Sequence, residues 1–250
     1  MLTVSELYIY PIKSLGGISL NSATLTDRGF EYDRRWMLVD DNNQFLTQRE
    51  ANAMALLKVQ VTENGLLIQN NSVPGEQLLV PFEPTTAETT MVTVWSNHCR
   101  AQRVSEAADV WFSKQLGFSC RLMYMPDSTN RFVDSRYAHS KEVTSFSDGF
   151  PLLLISQASL DDLNNKLPTP LPMNRFRPNI VFTGGTAFLE DSMKQFEING
   201  ITFFSVKPCA RCLITTIDQH TGQKAKEPLK TLSTYRMKNN KIYFGQNLLF

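Results

Sequence analysis

The chain has 250 residues, a formal net charge of +1 and 42% hydrophobic residues. This length can bury a full core in one large domain or two smaller ones. The balanced charge argues against disorder and against a general nucleic-acid-binding surface, so any anion site has to be local.

Cysteine usage and hydropathy indicate the compartment. Four cysteines are too few and too unevenly spaced for a disulfide scaffold, which is typical of a reducing environment. No apolar run approaches the roughly 20 residues that span a bilayer. The N-terminus, MLTVSELYIYPIKS, lacks the basic start and long apolar core of a signal peptide. We expect a cytoplasmic protein with neither a membrane nor a nucleic-acid partner.

The first half of the chain predicts short strands. Apolar and polar residues alternate in segments separated by turn signals such as DDNN and ENG, a pattern typical of hairpins in a barrel or sandwich. These segments are SELYIYPI, ISLNSATLT, RRWMLVD, FLTQ, LLKVQVT, LLIQ and MVTVW.

The middle of the chain predicts a helix, a strand and a long loop. The helix is SEAADVWFSKQLG, with Ser105 as N-cap and Gly117 just after its end, and the strand is CRLMYM. Residues 127–147 have weak periodicity, and a loop of this length is usually functional or mobile. We therefore expect a lid or a domain boundary there.

The second half predicts strands with helices added. FPLLLISQASLDDLNNKL has the pattern of a buried strand followed by a helix, and the constrained loop PTPLPMNRFRPN leads into the strand NIVFTGG. A turn at NG separates FEI from ITFFSVK. The predicted fold class is therefore mainly β with added helices.

The most informative stretch is KPCARCLITTIDQHTG, which holds Cys209 and Cys212. A structural zinc site needs about four ligands, and neither Cys99 nor Cys120 supplies a second pair. A redox switch of the thioredoxin type needs its first cysteine at a helix N-terminus, whereas LITTI favours a strand.

Two interpretations of this loop remain open on the residues alone. The thiols could be buried and inert, since free cysteine packs as a small hydrophobe. Alternatively, Lys207 and Arg211 would lower the pKa of a neighbouring thiol and attract an anion. A cationic loop with a thiolate suits a soft metal carried on an anionic cofactor.

KPCARCLITTID, together with YPIKS, YDRRWMLVD, NRFRPNIVFTGG and EPLKTLSTYR…FGQN, resembles the MOSC family. The motifs keep the order of the family over nearly the whole chain. The resemblance implies an N-terminal β-barrel domain over residues 1–120 and a MOSC β-barrel domain over residues 121–250. It extends to bacterial reductases of N-hydroxylated compounds and to mitochondrial amidoxime-reducing components.

The resemblance also implies a molybdenum–molybdopterin cofactor (Moco) and a role for each matching residue. Cys212 would be the protein ligand of molybdenum, and Asp148 would orient substrate or assist proton transfer. The positions matching cofactor-binding residues of the family are Lys13, Ser14, Arg34 and Arg177 around the phosphate tail, and Arg211, Thr215 and Asn247 near the pterin.

The implied activity is reduction of hydroxylamines, amidoximes or N-hydroxylated bases. No cysteine follows Cys212 to hold an iron–sulfur cluster, so the resemblance implies an external electron donor, namely a ferredoxin, a flavodoxin or a flavin reductase. A sulfur carrier or cofactor-binding module that uses Cys212 as a persulfide is the alternative. The chain stops at LLF, where family members usually continue, so we expect a barrel edge to be missing or replaced.

Overall fold

A computed structural model describes residues 1–73 and 75–250 and shows a mainly β protein, which confirms the predicted fold class. The α-helices are α1 (Glu106–Leu116), α2 (Gln157–Asn164) and α3 (Leu229–Ser233). The strands are β1 (Thr3–Ile9), β2 (Ile18–Leu20), β3 (Leu25–Thr26), β4 (Gly29–Phe30), β5 (Trp36–Val39), β6 (Leu57–Thr62), β7 (Gly65–Asn70), β8 (Gln77–Val80), β9 (Thr89–Val94), β10 (Asn97–Arg103), β11 (Arg121–Tyr124), β12 (Leu152–Ser156), β13 (Ile180–Thr183), β14 (Gln195–Ile198), β15 (Ile201–Ala210), β16 (Met237–Lys238) and β17 (Lys241–Leu249).

The largest sheet combines both ends of the chain. Its order is β14-β15-β17-β12-β13-β1-β2, with β16 paired to β17. The remaining sheets are β5-β11-β10-β9, β6-β7-β8 and the pair β3-β4. Strand β1 runs antiparallel to β13, with Leu7 opposite Ile180, so the loop after β1 lies beside the loop before β13. Strand β12 is parallel to β13 and therefore starts at the same edge.

Strand β5 shows why some strands of this protein do not alternate. All four of its residues are buried, because Trp36 and Leu38 pack into one apolar cluster while Met37 and Val39 pack into another. A strand with a core on each face reads as a continuous apolar run. Strand β5 therefore lies between two cores of the first half of the chain.

The structure confirms several predicted elements. The Ser105 hydroxyl accepts a hydrogen bond from the amide of Ala108 at the start of α1, and Gly117 ends the helix in the left-handed conformation at φ 80°. The strand-to-helix passage is β12 followed by α2, and the Asn199-Gly200 turn joins β14 to β15.

Three expectations on local structure are wrong. FLTQ makes only isolated bridges, and ISLNSATLT is split into β2 and β3. The segment after Cys212 is a 3-10 turn over Leu213–Thr216 rather than a strand. The Thr215 hydroxyl donates to the Cys212 carbonyl at 3.0 Å and the Thr216 hydroxyl to the Leu213 carbonyl at 2.7 Å, so local bonds outweigh the β propensity of threonine.

Both ends of the second half are integrated into sheets. FGQNLL belongs to β17, which pairs with β12 on one side and β15 on the other. Strand β11, which begins at the predicted boundary between the two domains, pairs with β5 and β10. The boundary itself stays a prediction.

None of the helices in residues 1–73 and 75–250 has the length and apolar character needed to cross a membrane.

Candidate functional site

One cleft collects most of the predicted site residues from separate parts of the chain. It lies where β12 and β13 begin and β1 ends, and it spans about 740 Å³ including its open mouth. The predicted residues that line it are Lys13, Ser14, Arg34, Asp148, Arg177, Arg211, Cys212 and Asn247. Thr215 is the exception, because it is buried in the 3-10 turn behind Cys212.

Lys13 and Asp148 form an ion pair at the cleft. The buried Lys13 ammonium donates to Asp148 Oδ1 at 2.7 Å and to the carbonyl of Phe146 at 2.8 Å. Burial lowers the pKa of Lys13, and the charge of Asp148 opposes that shift. The Lys13 side chain is 6% exposed and that of Asp148 is 67% exposed, so the pair spans from the interior to the mouth.

The environment of Asp148 favours its ionised form. The loss of water around its carboxyl group would raise the pKa of Asp148, but the charge and hydrogen bond of Lys13 and the indole N–H of Trp95 hold it well below its usual range. A carboxyl group with a depressed pKa is a poor proton donor at neutral pH. The Asp148 carboxylate is therefore suited to accepting hydrogen bonds rather than to donating a proton.

Two arginines converge on one buried tyrosine. The guanidinium carbons of Arg34 and Arg177 lie 4.4 and 4.1 Å from the ring centroid of Tyr10. Burial raises the pKa of Tyr10 to about 12, with both arginines opposing the shift. Burial also lowers the pKa of Arg177 to about 10, which leaves this side chain cationic at neutral pH. The ring thus holds two positive charges beside each other at the wall of the cleft.

The arginines are further fixed by polar contacts. Arg34 donates to Asp33 Oδ2 at 2.6 Å and to Asn179 Oδ1 at 3.0 Å, and Arg177 donates to the Leu15 carbonyl at 2.7 Å. Ser14, Arg34 and Arg177 all have positive φ, at 68°, 50° and 54°. Such backbone conformations are uncommon outside glycine and cluster at ligand-binding sites.

The two cysteines of the loop have different surroundings. Arg211 donates to the Cys209 sulfur at 3.0 Å and to the Phe176 carbonyl at 2.6 Å. Burial raises the pKa of Cys209 despite the opposing charge of Arg211, so the expected lowering of a neighbouring thiol pKa is wrong for this cysteine. Cys212 begins the 3-10 turn, and its half-buried side chain lines the cleft.

Asn247 lines the cleft, whereas Lys207 of the cysteine loop lies outside it. Asn247 on β17 donates to the Lys207 carbonyl at 3.0 Å and lines the cleft between β12 and β15. The Lys207 ammonium itself lies 4.6 Å from the ring centroid of Tyr137. Lys207 is not among the residues that line the cleft.

Sequence reasoning missed four residues that build the site. Tyr10 lies in the motif YPIKS and Asp33 in the motif YDRRW, close to the predicted site residues Lys13 and Arg34. Their place in these motifs is the sequence signal that could have identified them. Asn179 follows the FRP segment and contacts Arg34 from the other half of the chain. The buried Arg131 donates to the carbonyls of Ser145, Ser147 and Asp148 and so shapes the segment that carries Asp148.

The donor set of the cleft fits an anionic cofactor that carries a soft metal. Cations from separate segments line the cleft, and a planar guanidinium group can donate to two oxygens of a phosphate at once. Arg211 keeps a buried Nε with no hydrogen-bond partner among the described residues. The Cys212 thiol at the same cleft is the type of ligand that soft metals select.

The fold and the cleft define a mainly β protein with a thiol-bearing, cationic binding site at the strand ends of its largest sheet. Family models agree with this class: the MOSC N-terminal beta barrel domain matches residues 1–119 and the MOSC domain matches residues 141–249. The chain therefore belongs to the MOSC family.

Curated relatives match along nearly the full chain. Mitochondrial amidoxime-reducing component 1 of Mus musculus is 33% identical over 94% of this chain and 72% of its own length. The Homo sapiens protein of the same name is 31% identical over 99% and 77%. The molybdenum cofactor sulfurase of Oryza sativa subsp. japonica is 31% identical over 97% of this chain, which spans only 32% of that relative.

The packing of Tyr10 gives a first prediction. A Cβ atom at Gly17 would lie 2.4 Å from a ring atom of the buried Tyr10, so Gly17→Ala has to displace the ring that holds both arginines. We expect Gly17→Ala to lower the free energy of unfolding by about 1–3 kcal/mol, as overpacking usually does. Urea denaturation measures this loss. Gly149→Ala, whose Cβ would have no neighbour within 4 Å, is the matched control, and equal stability of the two variants would contradict the packing argument.

Proposed function

We propose that the protein is a molybdenum-cofactor-dependent reductase of N-hydroxylated compounds. The observation that carries the proposal is the convergence of the Cys212 thiol, the Arg34–Tyr10–Arg177 group and the Asp148 carboxylate at one cleft. The names of the amidoxime-reducing relatives support the same reaction class. Hydroxylamines, amidoximes and N-hydroxylated bases share the N–OH group that such an enzyme reduces.

Each part of the cleft has a role in this proposal. Cys212 would be the protein ligand of molybdenum, and Arg34, Arg177, Lys13 and Ser14 would hold the anionic tail of the cofactor. Arg211 and Asn247 would contact the pterin, while Thr215 would fix the turn that presents Cys212. When bound, the cofactor supplies a two-electron redox centre.

The reaction needs protons and electrons in fixed amounts. Reduction of R–NHOH consumes two electrons and two protons and yields R–NH₂ and water. Asp148, ionised and fixed by Lys13 and Trp95, would accept a hydrogen bond from the substrate N–H or O–H and so orient the N–O bond. An external ferredoxin, flavodoxin or flavin reductase would supply the electrons. The four free cysteines support a reducing compartment, and we propose the cytoplasm.

The two cysteines test the metal assignment. Cys212→Ser should lose molybdenum and activity while staying folded, because the sulfur of Cys212 is the proposed ligand. Cys209→Ser should keep part of both, since a serine oxygen can still accept from Arg211. Metal analysis of protein from a host that makes the cofactor measures this difference. Equal molybdenum in the Cys212 variant and the parent would contradict the assignment, and sulfane sulfur on Cys212 without metal would support the persulfide carrier.

The arginine pair tests the anion cradle. Arg177→Gln should weaken cofactor retention about ten- to a hundredfold, since a charge-assisted hydrogen bond is worth about 1.5–3 kcal/mol. Arg34→Gln should also lower thermal stability, because it leaves the buried carboxylate of Asp33 without its charged partner.

The matched control for the cradle is Arg100→Ala. Arg100 is an exposed arginine on β10, outside the cleft. Pterin and molybdenum content after gel filtration measures retention in all variants. Retention that is equal in Arg177→Gln and Arg100→Ala would mean that the cradle lies elsewhere.

The electron path gives a further prediction. A chain with one redox centre has to be recharged after every turnover, so loaded protein should reduce benzamidoxime with a chemical reductant or an added ferredoxin or flavodoxin system. It should not do so with NADH alone, and protein made without molybdenum should be inactive. Product analysis by chromatography follows the reaction. Sustained turnover with NADH and the isolated chain would rule out the proposed electron path.

A further inference from the structure

Trp95 has an unusual backbone conformation and contacts Asp148, a residue that lines the cleft. It is the first residue of the two-residue turn that joins β9 to β10, and its φ is 57°. Hairpin turns with positive φ at this position favour glycine, and a bulky residue there is an outlier. The side chain stays 44% exposed, so burial does not offset the backbone strain. Strain of this kind is common where a side chain is needed for function.

The indole of Trp95 is hydrogen-bonded to Asp148, a residue of the proposed catalytic centre. Its N–H donates to Asp148 Oδ1 at 3.1 Å, and the same oxygen accepts from Lys13 at 2.7 Å. Trp95 comes from the first half of the chain, whereas Asp148 lies in the segment that leads into β12 of the large sheet. The exposed ring therefore lies next to the group that would orient the substrate.

Two neighbours hold the indole in place. The Arg49 guanidinium carbon lies 4.3 Å from the Trp95 ring, and the Phe45 and Trp95 ring centroids are 5.1 Å apart. Arg49 is itself fixed by a bond from its Nε to the Thr47 hydroxyl at 3.1 Å. Phe45, Arg49 and Trp95 form what we call the aromatic platform. A rigid, partly exposed aromatic surface is suited to stacking against a flat ring.

We propose that Trp95 is the substrate-stacking residue of this site and selects planar aromatic N-hydroxylated compounds, such as N-hydroxylated purine bases. This inference rests on the proposed function. Every base presents a π face, and stacking on an aromatic side chain needs no hydrogen-bond pattern. A ring on the indole places its exocyclic N–OH group within the neighbourhood of Asp148. Hydroxylamine has no ring and gains nothing from the platform.

Substrate selectivity tests the inference in molybdenum-loaded protein with a chemical reductant. Trp95→Leu should lower kcat/KM for 6-hydroxylaminopurine about tenfold or more, the loss expected for removal of one base–aromatic stack. Its kcat/KM for hydroxylamine should fall no further than that of Trp95→Phe, because both variants lose the indole N–H that contacts Asp148. Trp95→Phe should keep most of the preference for the purine, because phenylalanine retains a stacking face while losing the N–H that contacts Asp148.

The same comparison separates stacking from a positioning role. If the indole acts only by holding Asp148, then Trp95→Phe and Trp95→Leu lose activity alike on both substrates, and the inference is overturned. If Trp95→Leu keeps the parent ratio of the two kcat/KM values while the parent reduces both compounds, the inference fails and the proposed function stands.

A binding measurement does not depend on turnover. Adenine, the product of 6-hydroxylaminopurine reduction, should quench tryptophan fluorescence of the parent and of Trp111→Phe but not of Trp95→Phe. Trp36 is buried, and Trp111 packs on Phe112 of α1, so both lie outside the cleft. Quenching that persists in Trp95→Phe would overturn the inference. Quenching specific to Trp95 in a protein that reduces neither substrate would support stacking and overturn the proposed function instead.

Discussion

The cationic cleft depends on one buried carboxylate. Asp33, which is 1% exposed, accepts the backbone N–H of Tyr10 at 2.8 Å through one oxygen and the Arg34 guanidinium at 2.6 Å through the other. Burial of a charge is tolerated only when it is paired and hydrogen-bonded, so each partner keeps the other in place. The fixed Arg34 then lies beside the Tyr10 ring, and that ring supports Arg177. The geometry of the Arg34–Tyr10–Arg177 group thus follows from a contact between adjacent residues.

The same cleft concentrates positive charge that the protein only partly compensates. Burial lowers the pKa values of Lys13 and Arg177, and each also experiences the charge of Arg34 as an unfavourable neighbour. Asp33 and Asp148 offset part of this repulsion. An anionic ligand would offset more of it, and the resulting gain in free energy would appear as binding affinity. The repulsion between the cleft cations destabilises the protein alone, and the same repulsion would favour binding of an anion.

Local signals predicted most elements of the fold, and long-range contacts limited the prediction of the site. Helix α1 was predicted from its caps, because capping is a property of neighbouring residues. The strand expected at LITTI failed because threonine hydroxyls bonded to local carbonyls. Asn179 contacts Arg34 across 145 positions of sequence, and the segment that holds Arg131 has no periodic pattern. Cys212 and Arg177 were identified as site residues through family motifs. Their spacing in the sequence alone does not predict that they line the same cleft.

The pairing of β1 with β13 has a consequence for the order of events during synthesis. Thr3 lies opposite Thr183, so β1 cannot pair with β13 until the long stretch of chain between them has been synthesised. Contacts between residues so far apart close a large loop and slow folding. The cleft combines Lys13 and Arg34 with residues from the second half of the chain, so it is completed late, after these distant segments have met. A ligand of the cleft would then bind after translation, to a chain that has already folded.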